Sequence, residues 1–336
     1  MIYYRAIAHC GGDRPGDALD LAGGWCWFHE VAVWARGGPV TRIAAADLPD
    51  DVRRRLTDPR PAIAGLGMDA PRVMGILNVT PDSFSDGGLF EAPDDAVAHA
   101  RAMIAAGADI IDIGGESTRP GAADVAMPDE IARTAPIIAA IRAQSDVPIS
   151  IDTRKGAVAQ AAITAGAGLI NDVAAFGFDP ALAGVTAAAG LPVCLMHAQG
   201  DPATMQADPR YDDVLLDVYD FLETRIAVAE AAGIARHQIV VDPGIGFGKT
   251  LAHNLTLLRG IALFHSLGCP ILLGASRKRF IGTIGGGETA ADRVAGSVAV
   301  ALHGVRQGVQ ILRVHDIFAT RQAMDLEQAI NGAAQI

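Results

Sequence analysis

The chain is poor in several residue types, and each scarcity narrows what it can be. Its 336 residues include four cysteines (Cys10, Cys26, Cys194 and Cys269), with no CxxC pair and no histidine partners at metal-ligand spacing. That spacing indicates neither a disulfide framework nor a zinc site; the four read as reduced, partly buried small hydrophobes. No uninterrupted apolar run reaches the roughly 18 residues that a membrane-crossing helix needs. The opening MIYYRAIAHCGGD lacks a basic-then-apolar leader, so the expected protein is soluble and cytoplasmic. Cationic charge is also short: 27 Lys plus Arg against 38 Asp plus Glu give a net charge of −11. Broad electrostatic binding to nucleic acid or to an anionic membrane surface is thereby excluded, and any anionic ligand must be gripped locally. Lysine is reduced to Lys155, Lys249 and Lys278, and asparagine to Asn78, Asn171, Asn254 and Asn331.

What is present divides in two. Residues 1–70 hold all three tryptophans, in LAGGWCWFHEVAVWARGG, where period-two alternation between glycine pairs predicts a small β hairpin or meander. The tryptophans read as the core of that small extension, because a short unit needs large side chains to bury enough area. A Pro- and Arg-rich stretch links it onward. From about residue 71, short apolar runs alternate with longer amphipathic stretches in eight βα units. The strands are expected at Val73–Val79, Asp109–Ile113, Ile149–Ile151, Leu169–Ile170, Val193–Met196, Ile239–Val241, Ile271–Leu273 and Ile311–Val314. Val214, Val218, Leu222 and Ile226 mark one apolar helical stripe, and Val294, Val298 and Leu302 another. The expected class is α/β, a (β/α)8 barrel with a small, β-rich N-terminal extension; a doubly wound open sheet is the alternative.

In such a barrel the chemistry gathers where strands end, and here the ends are polar. In order they carry Asn78, Asp112, Asp152, Asn171 with Asp172, His197, Asp242, the GASRKR run with Lys278, and Arg313 with His315. Capping of the following helices accounts for Asp112, Asp172 and Asp316 taken singly. It does not account for lysines and arginines in the same places. Arg313 and His315 are two apart on one strand and face the same way, suited to a phosphate. Asp242 and Asn171 offer an acceptor-rich edge to a heterocycle bearing an amino group and a ring NH. Asp152 adds a second carboxylate, its alternative being a structural acid paired with Arg154 or Lys155. DPGIGFGKT is not a P-loop, because Pro243 stands where glycine is required; its glycines are expected to turn the backbone closely around a flat ligand, with Phe247 as an apolar wall.

Taken in order, GILNVTPDSFSDGG, DIGGESTRPG, ISIDTRK, LIND, MHAQGDPATMQ, DPGIGFGK, LLGASRKRF and RVHD resemble the dihydropteroate synthase family over about residues 71–336. The resemblance implies a transferase of folate biosynthesis, and a sulfonamide target, that joins 6-hydroxymethyl-7,8-dihydropterin diphosphate to 4-aminobenzoate with release of pyrophosphate. It implies that Asp152, Asn171, Asp242 and Lys278 hold the pterin with Met196 beside it, and that Thr118, Arg313 and His315 bind the diphosphate. Asp152, Lys278, Arg313 and His315 are the implied catalytic set. Arg119, Pro120, Phe247 and Ser276 are implied to shape the aminobenzoate pocket, Asn78 to ligate Mg²⁺, and later barrel helices to form a homodimer. The competing readings are a pterin-binding methyltransferase domain, a non-catalytic pterin-binding paralogue and a phosphate-binding barrel of sugar metabolism. Residues 1–70 lie outside the resembling motifs and are not expected in the catalytic constellation.

Overall fold

A computed structural model describes residues 1–79, 92–116, 124–200 and 204–332. The first seventy residues form six short strands: β1 (Ile2–Ala6), β2 (His9–Cys10), β3 (Leu19–Asp20), β4 (Cys26–Phe28), β5 (Glu30–Ala35) and β6 (Thr41–Ala44). They pair antiparallel as two three-stranded sheets, ordered β1-β5-β6 and β2-β4-β3, and α1 (Asp50–Thr57) follows. Leu21, Cys26, Phe28, Val31, Leu48, Val52 and Leu56 fill the space between them.

The tryptophans are placed differently from the expectation. Only Trp27 is buried, and its ring stacks on His9 at 4.5 Å. Trp25 and Trp34 are half-buried against the core of the following unit, with Trp25 Nε1 donating to Val305 O at 2.8 Å. Trp25 packs against both units and Trp34 against the barrel, while Trp27 stays within the N-terminal unit, so the indoles partly fill one core and partly join two.

Each later apolar run forms one barrel strand, and four of the eight end in Asn or Asp. These are β7 (Arg72–Asn78), β8 (Ile110–Gly114), β9 (Ile149–Asp152), β10 (Leu169–Asp172), β11 (Val193–Met196), β12 (Ile239–Asp242), β13 (Leu272–Leu273) and β14 (Ile311–Val314). The sheet is parallel, in the order β12-β11-β10-β9-β8-β7-β14-β13. One isolated bridge, Val241 to Ile271, closes it into a barrel between β12 and β13. Around it run α2 (Ala92–Ala105), α3 (Met127–Arg142), α4 (Gly156–Ala165), α5 (Ala181–Ala189), α6 (Val214–Ala231), α7 (Leu251–Gly260), α8 (Arg279–Gly285), α9 (Val294–Arg306) and α10 (Ile317–Ile330).

Alternation along each strand sends residues two ways. Met74, Ile110, Leu169, Cys194, Val240, Leu272 and Ile311 form one buried cluster that also takes in Ile63 and Met68 from the linker, so the linker is a packed part of the barrel rather than a tether. Neighbouring strand residues, among them Val73, Ile111, Ile151 and Val241, join the helices in the main core. The stripe expected on α6 is buried as expected. That on α9 is not: Ser297, Ala301, Gly304 and Val305 face inward, while Val294, Val298 and Leu302 are half-buried. Close approach decides this, since a Cβ at Gly304 would stand 2.9 Å from Leu273 Cδ2. Among the described residues no helix is long and apolar enough to cross a membrane.

Candidate active site

Register alone brings several of the polar strand ends side by side. Asn78 pairs with Gly114, Gly114 with Asp152, and Asp152 with Asn171, which makes one continuous row across β7, β8, β9 and β10. Met196 stands opposite Asp242 across β11 and β12. Glycine in the middle of the row keeps the space above it open: a Cβ at Gly114 would lie 3.6 Å from both Asn78 Oδ1 and Asp152 Cβ.

One rung below, Asp112 faces Ser150 and is fully buried, at 0% exposure. Its Oδ2 accepts from Arg313 Nε at 2.6 Å and from Asn171 Nδ2 at 3.1 Å, while Arg313 Nη2 reaches Asp152 Oδ2 at 2.7 Å. One guanidinium thus serves two buried carboxylates. Burial works against the Arg313 charge, but Asp112 and Asp152 outweigh it and hold its pKa above the ordinary value. The shared cation does not suffice for both acids. Burial pushes Asp152 up to about 7 against the pull of Arg313, and Asp112 adds to the rise. Asp112 is therefore not the helix cap its sequence position suggested, and the partner of Asp152 is Arg313 rather than Arg154 or Lys155. Asp172 does serve its own loop, accepting from Ala174 N and Phe176 N. Asp316 pairs with Arg277 instead of capping α10.

On the other side of the mouth, Lys278 Nζ lies 4.3 Å from the centre of the Phe247 ring and donates to Ile245 O. Burial lowers its pKa to about 7 although Asp242 favours the charge. Burial likewise raises Asp242, whose Oδ1 accepts from Gly244 N at 2.7 Å. A Cβ at Gly274, just beyond β13, would sit 3.6 Å from Asp242 Oδ2 and 3.9 Å from Arg313 Cβ, so these two side chains flank the same short gap. The glycines of DPGIGFGK approach protein rather than leaving room for a ligand. A Cβ would fall 1.8 Å from His197 O at Gly244 (φ +66°) and 2.9 Å from Lys278 Cδ at Gly246 (φ +84°).

Ser276 accepts from His315 N at 3.2 Å and lies 3.1 Å from His315 Nδ1, so these two candidates form a pair. Thr118, Arg119 and Pro120 lie outside the described residues.

Three features went unread in the sequence. Arg277 has φ +59°, a strained value for a residue with a Cβ, and is held there by Asp316 and by Ser297 Oγ. It fixes the turn that presents Ser276 and Lys278. Lys249 is buried beside His197, donating to its Nδ1 at 2.9 Å and to Phe247 O at 3.0 Å. Burial, reinforced by Lys249, lowers the His197 pKa to about 2 and leaves the ring neutral. Lys155 belongs to a separate buried cluster with Glu116 (3.0 Å) and Glu130 (2.8 Å), and Arg154 also joins Glu116. Lysine scarcity marked all three positions, but their surroundings differ: Lys278 over the Phe247 ring, Lys249 against His197, Lys155 among glutamates.

The arrangement combines carboxylates and an amide, a shared guanidinium, and an ammonium over an aromatic ring, all at the carboxyl ends of barrel strands. The family model for pterin binding enzymes matches residues 74–315. Dihydropteroate synthase of Escherichia coli K12 is 48% identical over 273 residues, covering 80% of this chain and 95% of that one. The chain belongs to the dihydropteroate synthase family. The synthase of Neisseria meningitidis serogroup B is 47% identical over 270 residues, covering 79% and 94%. Among solved structures, Xanthomonas albilineans dihydropteroate synthase with 4-aminobenzoic acid superposes with a TM-score of 0.76 at 48% identity, covering 81% of this chain and 97% of that one. The same enzyme in complex with 7,8-dihydropteroate gives 0.73 at 45%, covering 80% and 97%. The synthase family thus accounts for the barrel, and the fold is that of its members.

Proposed function

We propose that the mouth of the barrel condenses 6-hydroxymethyl-7,8-dihydropterin diphosphate with 4-aminobenzoate, giving 7,8-dihydropteroate and pyrophosphate. The observation that carries this reading is Arg313 shared between Asp112 and Asp152, across a short gap from Asp242. A flat heterocycle with ring NH and amino donors meets acceptors on Asp152, Asn171 and Asp242, and Met196 flanks it. Lys278 supplies a donor to the opposite edge. Arg313 and His315, with Thr118, take the diphosphate. As the carbon–oxygen bond to the diphosphate breaks, the Arg313 guanidinium and hydrogen bonds from His315 and Thr118 stabilise the leaving group, and the carboxylates favour the cationic methylene left on the pterin. The aromatic amine nitrogen then bonds to that carbon and gives up a proton. Arg119, Pro120, Phe247 and Ser276 shape the aminobenzoate side.

Mg²⁺ fits this site as a partly hydrated ion. Asn78 supplies a neutral oxygen beside the Asp152 carboxylate, and no group of three or more acidic, His or Cys side chains that could cage a metal occurs among the described residues. That suits an ion held mainly by phosphate oxygens and water. Bound there, it would neutralise charge on the diphosphate.

A homodimer through the later helices is part of the same proposal, supported by Phe318, Leu326 and Ile330 exposed along α10; sedimentation of the purified chain checks it. A cytoplasmic location is the one this reading implies. The function is tested by pyrophosphate release from dihydropterin diphosphate with and without 4-aminobenzoate. Release should depend on the amine and collapse in Lys278→Ala; pterin binding without release would overturn the assignment.

A further inference from the structure

We propose that Cys10 and Cys26 are a reversible dithiol–disulfide pair, a modification site in the N-terminal sheets remote from the barrel mouth. The two residues stand directly opposite each other across the antiparallel strands β2 and β4. Opposed residues in such a ladder have Cα atoms about 4.5–5.5 Å apart, whichever kind of pair they form. That range falls within the ~4.4–6.8 Å that a disulfide spans without moving the backbone.

The side chains also point the same way. Cys10 Sγ lies 3.9 Å from Val305 O and 3.6 Å from Arg306 O; Cys26 Sγ lies 3.5 Å and 3.8 Å from the same two oxygens. Two sulfurs held against one pair of carbonyls at the end of α9 are necessarily neighbours.

The pair is divided as a thiol-exchange pair needs to be. Cys10 is half-exposed and Cys26 is buried. Contact with Cys26 lowers the Cys10 pKa, while contact with Cys10 and burial raise that of Cys26. Cys10 is therefore the attacking sulfur and Cys26 the resolving one. With a low-molecular-weight disulfide as oxidant, the Cys10 thiolate attacks one of its sulfurs and expels one thiolate. The Cys26 thiol then gives up its proton to that thiolate as its sulfur displaces the second from Cys10. Two protein thiols are oxidised, and one small disulfide is reduced to two small thiols.

The local structure tolerates the loss of both S–H groups. Val305 O still accepts from Trp25 Nε1 at 2.8 Å and from Gly308 N at 3.0 Å, so the N-terminal unit stays docked. Cys194 and Cys269 serve as internal controls. Both are fully buried, and burial raises the pKa of each, Cys269 to about 12.

The test exposes the folded full-length chain to oxidised glutathione and follows intact mass, free thiols and tryptic peptides. The expected product is lighter by two hydrogens, has lost two of its four thiols, contains a linked Cys10–Cys26 peptide pair, and reverts with dithiothreitol. Cys26→Ser should instead accumulate a stable glutathione adduct on Cys10, and Cys10→Ser should not react. An unchanged mass, a persistent adduct on Cys10 in the wild type, or linkage through Cys194 or Cys269 would overturn the proposal.

Discussion

Arg313 and Arg36 each bridge two carboxylates, in opposite surroundings. At the barrel mouth Arg313 serves Asp112 and Asp152, one fully buried and the other nearly so. At the seam between the N-terminal sheets and α6, Arg36 serves Asp217 and Asp220 with its own side chain 40% exposed. Water screens the second set and can replace any member, so it adds little beyond orientation. In the first set, loss of Arg313 or Asp112 breaks a bridge made among buried groups. Similar contact lists therefore describe a surface latch in one place and a poised electrostatic site in the other.

The sharpest way to break this comparison is Arg313→Ala. Turnover should fall by roughly 10²–10³-fold, as when a transition-state donor is lost from a dry site. Arg313→Lys should not restore it, because a point charge cannot replace the two-pronged grip. Full rescue by lysine in a steady-state assay would show that net charge alone matters.

Asp112→Ala should destabilise the fold by about 3 kcal/mol in urea unfolding, since it leaves Arg313 half-paired and Asn171 without its acceptor. A loss below about 1 kcal/mol would mean that Arg313 is hydrated in the native state.

The pH dependence of stability sharpens the contrast further. In the folded chain Asp152 stays protonated up to about 7, whereas its ordinary value is 3.8. Between those values the folded state binds more proton than the unfolded one, so this group's contribution is fully present below the lower value and is lost as pH rises through about 7. Asp152→Asn should flatten that part of the slope of urea midpoint against pH; an unchanged slope would assign the buried proton elsewhere.

The smallest effect belongs to Arg36→Ala, which should cost less than about 1 kcal/mol and shrink with added salt, leaving turnover unchanged. A salt-independent loss of several kcal/mol would place this bridge in the same class as that of Arg313.

Much of the barrel was legible because short apolar runs are followed at or just beyond their ends by polar residues, and register then carries Asn78, Asp152 and Asn171 into one row. Asp112 was misread because its partner lies 201 positions away on the last strand. From sequence alone, an aspartate after a strand looks the same whether it caps a helix or anchors an arginine across a barrel. The α9 stripe was misread because valines outweigh alanine and glycine in any apolar pattern. Which face lies inward was decided instead by the room that Leu273 leaves. Lysine scarcity marked Lys155, Lys249 and Lys278 alike, since composition cannot separate an ammonium over an aromatic ring from one paired with Glu116 and Glu130.

The closing seam of the barrel is its most thinly paired stretch among the described residues. Between β12 and β13 the ladder is reduced to one bridge, Val241 to Ile271, and Ile271 N turns to the Gln310 side chain rather than to a neighbouring strand. Asp242 lies on one side of that seam and Lys278 beyond the other. Gly246 packs against Lys278, Gly274 against Asp242, and the turn at Arg277 precedes Lys278, so close backbone approach and one strained turn lie where strand pairing is thinnest. The ladders elsewhere in the sheet are longer than this one bridge, so the seam is where backbone pairing constrains the two sides of the mouth least.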